Sequence, residues 1–154
     1  MKIKIFSAIV AFGLTTIVSC KKEDPIPTIP TPQTEQAQFI WKEDGGSEII
    51  ADSCYWTTGT WGTGIRAYKG GMAKYFEINW DGFENTSVGT KVLSVSNYGF
   101  TFLDGSSNNS ISTDQSIAIT SISNNKISGN FNVTVSGGNL TTIQGTFTNI
   151  NQKL

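Results

Sequence analysis

The stretch 126–150, KISGNFNVTVSGGNLTTIQGTFTNI, decides the fold. Its two arms carry one pattern, I-x-G-x-F, as ISGNF at 127–131 and IQGTF at 143–147. Side chains of an extended strand alternate between faces, so Ile127, Gly129 and Phe131 share a face, as do Ile143, Gly145 and Phe147. Each glycine leaves a gap that an aromatic ring from a neighbouring strand can cover. Two adjacent strands packing one core, turned around Ser136-Gly137-Gly138-Asn139, account for the echo. Two copies of five residues are too few for a repeat architecture.

The same period of two recurs outward from this pair. Ala37, Phe39 and Trp41 share one face of a first strand, and EDGGSE turns it into a second, IIADSCYW. The glycine-spaced TTGTWGTG leads to IRAY. Lys69-Gly70-Gly71 then turns into AKYFEINW, where Phe76, Ile78 and Trp80 alternate with Tyr75, Glu77 and Asn79. TKVLSV and YGFTFL follow, the latter with Tyr98, Phe100 and Phe102 on one side. DGSSNNS reads as a polar loop, and IAITSIS as a seventh strand with Ile117 and Ile119 inward. Asn124-Asn125 is a hairpin turn. The spacing predicts an all-β fold, an antiparallel sandwich of about nine strands, with a closed lipocalin-like barrel as the alternative.

The amino terminus has a different character. Lys2 and Lys4 precede an apolar run, Ile5 to Val18, of 14 residues. That is shorter than the roughly 20 residues of a membrane-spanning helix and fits the h-region of a secretory signal. The run ends Ile17-Val18-Ser19-Cys20, which resembles the lipobox of bacterial lipoproteins. The resemblance implies a thioether-linked diacylglycerol on Cys20 and cleavage before it. Lys22, Glu23 and Asp24 resemble the lysine-then-acidic export tag of Bacteroidota surface lipoproteins. Pro25, Pro27, Pro30 and Pro32 are the only prolines; they favour extended polyproline II and suit a stand-off tether. The expected organisation is a signal peptide over 1–19, a lipidated cysteine and tether over 20–36, and a β-sandwich domain over 37–154.

With the lipobox, the Trp-containing first strand, the mid-chain VGTKVLSV and the closing ISGNFNVTV…IQGTFTNI, the chain resembles a family of small Bacteroidota lipoproteins. Their domains end in a similar sGtF…nGtF hairpin. The resemblance implies a β-rich exported domain; the tag-like Lys22, Glu23 and Asp24 imply a lipid anchor at the outer membrane facing the cell surface, with a periplasm-facing placement as the alternative. It brings no activity, substrate or catalytic residue.

Composition narrows the chemistry. Residues 36–154 carry seven Lys or Arg and nine Asp or Glu, a net charge of −2. A nucleic-acid binder would show a clustered basic face instead. Without histidine, neither a His-based triad nor a His-ligated metal site can form. With Cys20 lipidated, Cys54 has no partner and reads as a small buried hydrophobe. No phosphate loop, dinucleotide fingerprint or nucleophile elbow occurs. No cofactor is expected. A carboxylate-based hydrolase would need two acids facing one cleft, and most of the acids here fall in turns. Asp81 to Asn85 offers oxygen ligands for Ca²⁺ without EF-hand spacing, and reads as a turn.

Aromatic residues supply the functional signal. Trp61 sits among glycines and threonines, where it has little core to fill, and Tyr55, Trp56 and Tyr68 lie close by in sequence. Exposed Trp and Tyr beside polar side chains stack on sugar rings or anchor a protein partner. The expectation is a non-catalytic binding or accessory module for glycan or protein, tied to a membrane through its lipid. The alternative is a structural subunit of an outer-membrane assembly. From 105 to 152 only Asp114 and Lys126 are charged, and the Ser/Thr/Asn-rich surface reads as solvated sheet.

Overall fold

A computed structural model describes residues 36–59, 62–80 and 86–154. Cys20, the tag Lys22, Glu23 and Asp24, the tether, Trp61 and the Asp81–Asn85 turn lie outside the described residues.

The described residues form eleven strands: β1 Gln38–Glu43, β2 Ile49–Ile50, β3 Ser53–Gly59, β4 Gly62–Lys69, β5 Lys74–Trp80, β6 Gly89–Leu93, β7 Phe100–Asp104, β8 Ser107–Ile111, β9 Gln115–Ser123, β10 Lys126–Ser136 and β11 Thr142–Asn151. Nine lie on one hydrogen-bonded path, in the order β2-β1-β11-β10-β8-β7-β5-β4-β3, and β9 and β6 branch from β10. All strand pairs are antiparallel. The path curls like half a barrel and folds over, so that β1, β10 and β11 face β5 and β7. Its far end returns to its beginning through a parallel bridge between Trp56 and Gln152 and a bond from Lys153 N to the Trp56 carbonyl, 2.8 Å. The chain is thus a two-layer antiparallel β fold with barrel-like curl.

The alternation explains the layers. Phe76 of β5 is the centre of the core, its ring centroid 5.1 Å from Phe39, 4.9 Å from Trp41 and 4.4 Å from Phe102. Phe131 joins from β10 at 6.1 Å. Burying each such ring contributes about 1.5–3 kcal/mol. Lys74 clasps one end of the layers: its ammonium lies 2.6 Å from Glu43 on β1 and 3.3 Å from Asp104 on β7. The Trp41 indole N–H donates to the same Glu43 at 2.9 Å.

The β10–β11 register pairs Gly129 with Phe147 and Phe131 with Gly145, as the I-x-G-x-F echo requires. The register slips on both sides of β10 near Ser128. On the β11 side Asn149 takes φ 49 and donates its N–H to the Ser128 hydroxyl at 2.9 Å. Such bulges sharpen local twist and bend the sheet there. Asn124 and Asn125 both have positive φ, 49 and 58, as a two-residue hairpin turn needs.

Three expectations are corrected. IIADSCYW is two strands, β2 and β3, separated by Ala51 and Asp52. DGSSNNS is a hairpin: Gly105 turns at φ 59 and Ser107–Ile111 pairs with β7, because Asn109 and Ile111 face inward while the intervening residues face out. Tyr98 leaves the face of Phe100 and Phe102 and is 81% exposed. A short 3-10 turn, Val95–Asn97, precedes it, and the following Gly99 comes so close to Leu93 and Ser94 that a Cβ there would lie 2.7 Å from Ser94 N.

Candidate functional site

On the outer surface of β3, β4 and β5 the register builds three rungs. Ser53, Tyr68 and Tyr75 form the first; Tyr55, Arg66 and Glu77 the second; Thr57, Gly64 and Asn79 the third. The inward neighbours Trp56, Ile65, Ala67, Phe76 and Ile78 are buried, so burial on one side fixes these residues on the other.

The tyrosines lean on one another across the rungs. The Tyr55 and Tyr68 hydroxyls are 3.1 Å apart and their rings 6.1 Å; Tyr68 and Tyr75 are 5.1 Å apart. Lys153 places its ammonium 4.6 Å above the Tyr55 ring, a cation–π contact. Burial, then the Tyr55 hydroxyl, push the Tyr68 phenol well above its ordinary value. Burial and the Glu77 charge also raise Tyr75, against the opposing pull of Arg66.

Arg66 is the centre of the face. Its Nη2 donates to Glu77 Oε1 at 2.5 Å and its Nη1 to Thr57 Oγ1 at 3.2 Å. Burial lowers its pKa, but the Tyr75 hydroxyl and the Glu77 carboxylate outweigh that and raise it. Beside this pair lies a depression of about 220 Å³, lined by Thr57, Gly59, Gly62, Arg66, Glu77 and Asn79. The Asn79 amide lies across Gly64: a Cβ on Gly64 would sit 2.1 Å from Asn79 Oδ1. Only glycine there leaves the amide in place.

Of the aromatic residues singled out in the sequence, the structure brings Tyr55 and Tyr68 together. Trp56 does not join them. It is 3% exposed and donates its indole N–H to the Asn125 carbonyl at 3.1 Å. Neighbours in a strand point to opposite faces, so Tyr55 outward means Trp56 inward. Tyr75, Arg66, Glu77 and Asn79 complete the face. The alternation of Tyr75, Glu77 and Asn79 with core residues signalled their common side, but their alignment with Arg66 required the register.

A larger cleft of about 910 Å³ runs along the seam between the first residues of β1 and β3, past Asp52 and Cys54. Among the described residues its walls carry no aromatic side chain, and Asp52 is already bound to Lys69 at 2.7 Å and to Gly70 N at 2.7 Å. Cys54 is half-buried, and burial pushes its thiol pKa up. Among the described residues no group of three or more His, Cys, Asp or Glu is placed to hold a metal ion, and no helix is long and apolar enough to cross a membrane. Comparison with protein-family models, curated proteins and solved structures gives no match.

Proposed function

We propose that this chain is a lipid-anchored, non-catalytic binding module of the bacterial cell surface, of the Bacteroidota lipoprotein type. Its ligand face is the outer surface of β3, β4 and β5, and its ligand is a glycan. The anchor reading rests on Cys20 at the end of the apolar run, and the surface placement on Lys22, Glu23 and Asp24.

The observation that carries the ligand reading is one of convergence. Three partly exposed tyrosines, a fixed Arg66–Glu77 pair and a polar depression share a single face. Aromatic rings give the apolar side of a sugar a stacking surface, and fixed polar groups beside them give its hydroxyls partners. The engagement of the acids supports a role without catalysis. Each of the seven described carboxylates has a partner in the fold, including Glu48 with Lys42 and Asp114 with Val95 N. Where a carboxyl pKa is displaced, at Asp44 and Asp52, it is lowered, opposite to the need of a general acid.

A protein partner is the second reading. It is favoured by Val88, Val92, Val95 and Tyr98, all exposed on or beside β6, a strand that among the described residues pairs only with β9. Affinity electrophoresis of the domain through gels containing soluble polysaccharides separates the two. We expect retardation by at least one polysaccharide and its loss in Tyr55→Ala/Tyr68→Ala. Equal retardation of wild type and variant, or none in any gel, overturns the glycan reading. Protease shaving of intact cells, with Lys22, Glu23 and Asp24 changed to alanine as the comparison, tests the surface placement.

A further inference from the structure

We infer that the depression beside Arg66 takes one neutral pyranose residue, held through adjacent hydroxyls without a metal ion, and discriminates against uronic acids. This rests on the reading of the surrounding face as glycan-binding.

Size is the first constraint. At about 220 Å³ the depression is smaller than the roughly 300–1,000 Å³ of sites for drug-sized ligands. It suits a single sugar ring, with the neighbouring residues of a chain passing over the tyrosines.

Hydrogen-bonding capacity is the second. A guanidinium only donates, a carboxylate only accepts, and an amide does both. Arg66 and Glu77 stand side by side at 2.5 Å. They therefore offer one hydroxyl a donor and the next an acceptor, as two neighbouring ring hydroxyls require. Asn79 repeats the offer along the wall. Arg66 is organised before a ligand arrives, held by Thr57 and Glu77, and the Asn79 amide lies in the space that Gly64 leaves. Preorganised partners lower the cost of binding.

Charge is the third. Among the described residues, Arg66 and Glu77 are the only charged ones lining the depression, and their charges cancel. A uronic carboxylate would meet the Glu77 carboxylate and find Arg66 already paired. A neutral sugar meets neither penalty. Each interaction is provided by the chain's own side chains, so no cation need bridge sugar to protein.

Gly59 offers a clean test. Among the described residues, a Cβ there meets nothing within 4 Å, and its φ lies outside the left-handed region. A leucine at this position enters the depression without straining the fold. The probes are the methyl pyranosides of glucose, galactose and mannose, and glucuronic and galacturonic acids, observed by saturation-transfer NMR on the whole domain with a chelator present. At least one methyl pyranoside should bind the wild type, and neither acid should match it. Gly59→Leu should weaken that binding about tenfold or more, a loss of about 1.4 kcal/mol. Glu77→Gln leaves Arg66 unneutralised and should raise the acids relative to the neutral sugars.

The inference fails alone if Tyr55→Ala/Tyr68→Ala abolishes polysaccharide binding while Gly59→Leu leaves it unchanged. It also fails alone if acids and neutral sugars bind the wild type equally. Absence of any methyl pyranoside signal, or dependence of that signal on a divalent cation, overturns it as well. Indifference of polysaccharide binding to both the tyrosine and the Gly59 substitutions removes the inference together with the face on which it depends.

Discussion

The ring of Phe147 lies over Gly129, its partner across β10 and β11: a Cβ on Gly129 would sit 2.4 Å from Phe147 Cζ. Two residues along, the arrangement is reversed. Phe131 covers Gly145, where a Cβ would sit 2.6 Å from the Phe131 ring. Each strand supplies the ring that fills the other's gap. Gly129→Ala and Gly145→Ala should each destabilise the domain by about 1–3 kcal/mol, the usual cost of overpacking, as read from the denaturant midpoint. Removing the ring should not restore Gly129→Ala, because the Ala118 carbonyl oxygen would still be 2.2 Å away. Full stability of Phe147→Ala/Gly129→Ala would show that the backbone moves freely at this point.

Asp44 pins the start of β11 to the end of β1. Its Oδ1 accepts from Thr142 N at 2.7 Å, Thr141 Oγ1 at 2.8 Å and Thr141 N at 3.0 Å. Those bonds, that from Thr142 N foremost, lower its pKa from 3.8 to about 2. A carboxylate depressed in the folded state stabilises the fold above its unfolded pKa, and the contribution is lost as pH falls through the folded value. Asp44→Ala should therefore lower the urea midpoint at pH 7, and its difference from wild type should shrink between about pH 4 and 2. A difference that is constant with pH would assign the effect to the strained φ of 48 at this position rather than to the charge.

Where one residue type decided the local structure, the sequence was legible. Phe76 and Ile78 had to face inward because their neighbours Glu77 and Asn79 are polar, and Asn124-Asn125 could hardly be anything but a turn. The β8 strand was hidden because SNNSI has little of the β-branched and aromatic character that marks strands. Its place is set by pairing with β7 and β10 rather than by propensity. The tyrosine face was half legible. Tyr55 and Tyr68 were found as aromatics, yet Trp56 was grouped with them on proximity in sequence, which in a strand means the opposite side. Arg66, Glu77 and Asn79 meet only because three strands align, and that register is a long-range property.

Cys54 faces the seam between β1 and β3 and is half-buried. Burial raises its thiol pKa, and the thiolate is the reactive form. At neutral pH its alkylation by iodoacetamide should be slower than that of glutathione and should become fast in denaturant. Labelling of the folded domain at the rate of the free thiol would show the seam to be more open than the packing implies.

The tyrosine face has its own titration. Tyr68 and Tyr75 are both raised, first by burial and then by their neighbours. A group whose folded pKa is raised stabilises the fold while it remains protonated, so its contribution is whole below about pH 10 and is lost as pH climbs through the folded value. The tyrosinate absorbance of the native domain should thus include a component above the ordinary range, and Tyr68→Phe should remove part of it. Tyr55→Phe should lower what remains of Tyr68, since the Tyr55 hydroxyl at 3.1 Å contributes to the shift. A sugar stacked on these rings excludes water from them and disfavours the phenolate further. Binding should therefore delay the high-pH component, and a titration unchanged at saturating ligand would place the ligand elsewhere.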